Sequence, residues 1–403
     1  MSPSLRRIRS RLDAADRPIC SWLAVPFALA LALGGCASIG APPAPATLLH
    51  DEMFAPAAAG IDARRLFEMS DAMRSYADRE LADSARAGTD RRRALIEAFT
   101  QPKGGLRLAY DAAVTRTASE AYAARAGNCL SLVILTASFA KYLDLPVQYQ
   151  SVLGEEDYAR SGDLFVAAGH VNVVLGARSN RLDGRGSSWL TVDFAPLAQI
   201  ERQRSVPIEE RTVAAMFMNN RAAEALAGGR VHDAYWWARD AVRTDPGFVA
   251  GINTLGVVYQ RAGRPVEAEL ALRAVLALER NNVSALANLV WLLRAEGRRD
   301  DAAPLEARLA ALQPVPPLWY LDRGREALER GDFAAARDLL LRELRRQPLQ
   351  FEVHYLLARA YAALGNRAAA EQHLSAAAQS GPTRELQTLY AAKLERLRGI
   401  AAP

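Results

Sequence analysis

Gly127-Asn128-Cys129-Leu130-Ser131-Leu132-Val133 is the stretch from which the rest of the chain is read. Gly127-Asn128 ends the segment before it, and Leu130, Val133, Ile134, Ala137, Ala140 and Leu143 then recur with the period of a buried helix running from about Cys129 to Leu143. The cysteine therefore falls in the first helical turn. Unpaired N–H groups and the positive end of the helix dipole favour a thiolate there, and the same N–H groups face the oxyanion of an acyl-transfer intermediate.

Downstream, Leu145 to Val152 alternates like a strand and a polar loop is expected after it. Gly169-His170-Val171-Asn172-Val173 alternates again, and beyond an Asp183-Gly184 turn Trp189 to Phe194 reads as a further strand. Such strands pair most simply as antiparallel neighbours, which sets His170 beside Asp193 near the mouth of the thiol helix. The geometry expected is Cys129 Sγ within about 4 Å of the His170 ring, with Asp193 on the ring's other nitrogen. Taken singly, Cys129 reads as a buried structural thiol and His170 as a strand histidine; it is the resemblance of their order to that of a known enzyme family that favours a triad.

The order Cys129, His170, Asp193 resembles the transglutaminase-like branch of the papain-like cysteine enzymes over roughly residues 90 to 200. Gly127 stands two before the cysteine, His170 begins a strand, and Asp193 follows Thr191-Val192. Phe194 departs where that pattern often has proline, and Val171-Asn172 departs where tryptophan is common. The resemblance implies an α+β papain/transglutaminase-like domain, a helix packed on an antiparallel sheet, working by Cys-His-Asp acyl transfer. It leaves hydrolysis and transamidation open, with hydrolysis preferred because water is always present. Asp62 to Arg86 and Arg91 to Phe99 are expected as lead-in helices that pack against this domain.

The formal charge of +5 does not point to nucleic acid. Five arginines against two aspartates in residues 1–18 account for +3, leaving +2 for the remainder, which has no basic block with interleaved aromatics. No metal site or cofactor is expected either. Cys129 has no second histidine at a ligand-like interval, a glycine-rich phosphate loop is absent, and His50, His232, His354 and His373 read as structural or solvent-exposed.

Residues 1–18 are arginine-rich, and the apolar run Ile19–Leu33 is shorter than the ~20 residues of a spanning helix, so residues 1–35 read as a signal peptide. Leu33-Gly34-Gly35-Cys36 resembles a bacterial lipobox, which implies an acylated Cys36 at the mature N-terminus and a lipid-anchored protein. Ala37 after it implies, by the same resemblance, the outer membrane facing the periplasm. Residues 36–50, with Ala41-Pro42-Pro43-Ala44-Pro45-Ala46, are an expected tether. With Cys20 removed and Cys36 acylated, Cys129 is the lone remaining thiol.

Gly229, Gly263, Gly297, Gly331 and Gly365 are spaced by 34, and Ala234, Ala268, Ala302, Ala336 and Ala370 keep the same step. Pro246, Pro314, Pro348 and Pro382 fall at a third phase, so each unit reads as helix, glycine turn, helix, proline stop. The pattern resembles tetratricopeptide repeats, clearest at Leu255-Gly256-Val257-Val258-Tyr259. It implies an all-α solenoid of five repeats over residues 215–382, after the α+β domain of residues 51–203, and then a capping helix and tail over residues 383–403. The first repeat departs at Met218 and Arg221, which suits a unit abutting another domain. A concave groove is expected to present Val257, Trp291, Arg325, Tyr355 and Arg359 to a protein or peptide partner.

The function expected is a membrane-anchored cysteine peptidase or amidase with a protein-binding solenoid, recognition and chemistry lying in separate domains. The alternative is a non-catalytic lipoprotein scaffold for envelope or export machinery, its papain-like unit degenerate.

Overall fold

The computed structural model describes residues 45–57, 63–81, 90–100, 105–111, 114–161, 164–176, 189–194, 204–315, 318–347, 350–381 and 384–399. Cys36, the expected signal peptide, the Asp183-Gly184 turn, Pro348 and Pro382 lie outside the described residues.

Helices α1 (Asp71–Tyr76), α2 (Arg91–Thr100) and α3 (Ala118–Ala124) precede α4 (Cys129–Tyr142), the thiol helix. From Leu130 to Ala140 every residue of α4 is buried, as a helix apolar all round requires. Phe139 packs among Tyr76, Phe99 and Tyr122, ring centroids about 6 Å apart. The helix expected over 62–86 begins only at Asp71. The Leu66 carbonyl accepts from Ala118 N at 3.0 Å, drawing the chain out of helix, and Ser70 then caps α1 by accepting from Met73 N.

Two short strands, β1 (Ala109–Tyr110) and β2 (Ala126–Gly127), pair in parallel ahead of the thiol. The main sheet is antiparallel, in the order β5-β4-β3-β6, from β3 (Val147–Ser161), β4 (Leu164–Gly176), β5 (Trp189–Val192) and β6 (Arg204–Ile208). The polar loop expected after Val152 is instead the outer part of the β3–β4 hairpin. Val152 pairs with His170 but Asp157 with Ala168, so four residues of β3 stand opposite Gly169 alone. That bulge breaks the two-residue period and hid the strand from sequence reading. Strand β6 was not anticipated; it tolerates Pro207 because it lies at the sheet edge. Val171, Val173 and Leu175, with Tyr149 and Val192 across from Val173, join α4 in the core.

Five helical hairpins follow: α5 (Glu210–Ala227) with α6 (Val231–Thr244), α7 (Val249–Arg261) with α8 (Pro265–Leu278), α9 (Val283–Ala295) with α10 (Arg299–Leu312), α11 (Trp319–Glu329) with α12 (Phe333–Arg346), and α13 (Phe351–Ala363) with α14 (Arg367–Ser380). Helix α15 (Arg384–Gly399) covers the last hairpin, burying Tyr390 and Leu394 against Ala358, Leu374 and Ala377. The five turn glycines all have φ between +70° and +79°, the left-handed region where a Cβ is disfavoured. The five phased alanines are fully buried where the helices of a hairpin meet.

Hydrophobic packing does not stop between residues 203 and 215, because α4, α5 and the hairpins through Ala302 share one continuous core. The chain before them joins it too. Leu48 is buried, the Tyr259 hydroxyl donates to the Leu48 carbonyl at 2.6 Å, and Phe54 stacks on Tyr235 at 3.8 Å. Docking therefore begins inside the stretch expected as tether.

Candidate active site

Gly127 approaches α4 so closely that a Cβ on it would come within 2.6 Å of Ser131 Cβ. Asn128 is the N-cap, its Oδ1 accepting from Ser131 N at 2.9 Å and from Ser131 Oγ at 2.7 Å. Ser131 Oγ in turn accepts from Arg116 N at 2.8 Å. With Ser131 N–H given to Asn128 Oδ1 and Leu132 N–H to Asn128 O, the first-turn N–H groups of Cys129 and Leu130 are the donors left over at this helix start among the described residues. Cys129 is a free, half-buried thiol.

His170 stands on β4 beside the bulge, and Asp193 immediately follows β5. Continuing the β4–β5 register one step sets Asp193 opposite Asn172, two residues from His170. His170 Nε2 donates to Asp193 Oδ1 at 2.7 Å, and the Cys129 side chain interacts with the same ring. Burial alone would push the His170 ring down. Hydrogen bonds and charge from Asp193 and Cys129 outweigh it and carry the ring up to about 10. The structure thus places His170 against Asp193, with Cys129 acting on the same ring.

Because the folded ring titrates above its ordinary value of 6.5, its charged interactions stabilise the fold fully below that pH. The contribution is lost as pH rises toward 10. The wild-type advantage in melting temperature over His170→Ala is therefore expected to be largest below pH 6.5 and to shrink steadily between pH 7 and 10.

The expected groove residues divide. Trp291 is 48 % exposed and Arg359 is exposed, as a contact surface requires. Arg325 is engaged by Glu352 across two hairpins and by Asp322 at 3.4 Å. Val257 is buried, so counting from the turn glycine misassigned it to the surface. Tyr355 is half-buried because Tyr390 of α15 lies against it at 5.0 Å, the capping helix taking the place expected for a partner. His354 and His373 meet through their Nδ1 atoms at 3.0 Å between α13 and α14, and burial with the neighbouring His354 lowers His373 to about 4. No cluster of three metal-ligating side chains and no helix long and apolar enough to cross a membrane occurs among the described residues.

Sequence reasoning missed Thr115, buried and bonded to the N-cap, and Glu224, bonded to Thr115. The signal available was Arg221, a charge at a repeat position that is Leu in three of the other four repeats.

Residues 321–385 match the tetratricopeptide repeat family model. No curated protein matches the chain. Among solved structures, the chain is similar to a MamA protein (19% identity, 41% of this chain and 91% of that one, TM-score 0.24). It is also similar to YrrB, described as a TPR protein with an unusual peptide-binding site (20%, 46% and 98%, TM-score 0.24), and to PilF of Pseudomonas aeruginosa (22%, 47% and 94%, TM-score 0.26). The C-terminal part is an all-helical solenoid, and its residues 321–385 match tetratricopeptide repeats.

Proposed function

We propose that this chain is a cysteine acyl-transfer enzyme, a transglutaminase-like peptidase or amidase, whose repeats bind the protein or peptide it acts on. The observation that carries the reading is the unbroken relay from the Cys129 thiol through the His170 ring to Asp193, with the thiol at a helix start. Cys129 Sγ as thiolate forms a bond to the substrate carbonyl carbon while the N–H groups of Cys129 and Leu130 receive the oxyanion. Protonated His170 gives its proton to the leaving amine as the C–N bond breaks. The neutral ring then takes a proton from water, whose oxygen displaces the thiolate and releases the acid. Asp193 keeps the ring oriented throughout. An amine in place of water gives a cross-link, and hydrolysis is favoured because water is always present.

The lipobox-like Leu33-Gly34-Gly35-Cys36 supports a chain acylated at Cys36 and held on the outer membrane facing the periplasm. Trp291 and Arg359 are the groove residues whose exposure suits a protein contact. Incubation with a pool of unstructured peptides, followed by acid quench and mass spectrometry, is expected to find a thioester on the Cys129 peptide. Cys129→Ser is expected to lose it. No adduct on Cys129 with any peptide, together with ordinary protein binding by the repeats, would favour the scaffold reading.

A further inference from the structure

We infer that Arg221 and Glu224, on the first helix of the repeat array, are positioning residues for Cys129; the inference rests on the catalytic reading above. Helix α5 presents the two side chains one turn apart, and they clamp both backbone groups of Thr115. Glu224 Oε1 accepts from Thr115 N at 2.6 Å, and Arg221 Nη1 donates to Thr115 O at 3.1 Å. Thr115 passes the constraint on, because its Oγ1 accepts from Asn128 Nδ2 at 2.8 Å and Asn128 Oδ1 caps the thiol helix. The relay is dry: Thr115 is 1 %, Asn128 8 % and Ser131 0 % exposed. In such surroundings a hydrogen bond is strong and its loss is not made good by water.

The repeat phase shows what is unusual here. One repeat step on from Arg221 and Glu224 stand Leu255 and Val258, then Leu289 and Leu292, and in the fifth repeat Leu357 and Ala360, all buried. Those residues pack hairpin on hairpin. The fourth repeat also has the charged pair, Arg323 and Glu326, but there it is exposed and its members bond each other at 2.8 Å. In the first repeat the pair is half-buried and turned onto the backbone ahead of the thiol.

The thiol and its base stand on different elements, Cys129 on α4 and His170 on β4, so their separation depends on what fixes the start of α4. Displacing a reacting group by about 1 Å costs about 10²-fold in rate. The clamp from α5 sets that start, and it ties the reactivity of Cys129 to the repeat array rather than leaving chemistry and recognition independent.

The test is the rate of iodoacetamide alkylation at Cys129 in the full chain between pH 5 and 9, read by mass spectrometry beside the melting temperature. Arg221→Ala, Glu224→Ala and Thr115→Val are each expected to slow alkylation at pH 7 by about 5- to 10-fold and to move its pH profile toward that of His170→Ala. Thr115→Val leaves the clamp in place and removes only the acceptor for Asn128, so it reports on the relay even where an α5 variant fails to fold. Glu224→Gln, whose amide oxygen still accepts from Thr115 N, is expected to restore most of the rate, and Glu326→Ala, at the same phase of the fourth repeat, to leave it unchanged. Wild-type profiles in Glu224→Ala and Thr115→Val while His170→Ala is slow would overturn this inference alone. A lower melting temperature with an unaltered profile would equally overturn it. If His170→Ala itself alkylates at the wild-type rate, the catalytic reading fails instead.

Discussion

Replacing His170 by alanine is expected to slow alkylation of Cys129 by iodoacetamide at pH 7 by about 10²-fold, and Asp193→Asn by about tenfold. The difference in size follows from the contacts. Without the ring, Cys129 loses its hydrogen-bond partner and the positive charge beside it, a charge that Asp193 and the thiol together sustain up to about pH 10. Asp193→Asn keeps the ring but replaces the acceptor at 2.7 Å from Nε2 with an amide, so orientation and charge are only partly lost. Competition between labelled and unlabelled chains, with the Cys129 peptide quantified, measures both. A His170→Ala rate within twofold of the wild type would make Cys129 a structural thiol.

Tyr259→Ala is expected to lower unfolding free energy by about 3–5 kcal/mol, and Tyr259→Phe by only about 1 kcal/mol. Tyr259 is fully buried in α7, where its ring lies near both Phe54 and Tyr235 and its hydroxyl holds the Leu48 carbonyl. The alanine empties a site shared by the docked N-terminal segment and two repeats, whereas phenylalanine fills it and leaves one carbonyl unpaired. Urea unfolding separates the two. Equal losses in both variants would mean that the hydrogen bond rather than the packing fixes residues 45–57.

Much of the solenoid was legible because its rule is local. A positive φ recurring every 34 residues demands glycine, and close contact within each hairpin demands alanine. The thiol helix was legible for a related reason, since its apolar surface and the asparagine ahead of it need no distant partner to be recognised. The β3–β4 hairpin was less so, because the bulge beside His170 scrambles the alternation on which strand reading depends. Counting back from the turn glycines found Trp291 and Arg359 exposed but failed at Val257 and Tyr355. A repeat register fixes the direction of a side chain, not what else in the chain comes to cover it.

By itself the sequence determined the repeat period, the turn residues, the start of the thiol helix, and the order in which Cys129, His170 and Asp193 occur. Only the tertiary structure decided that the imidazole bridges thiol and carboxylate, since that depends on the register of β4 against β5 and on the bulge in β3. It alone decided that residues 45–57 dock on the repeats and that Arg221 and Glu224 reach Thr115. These contacts join residues about a hundred or more positions apart. Neither hydrophobic period nor helix capping constrains such distances; burial of a shared core does.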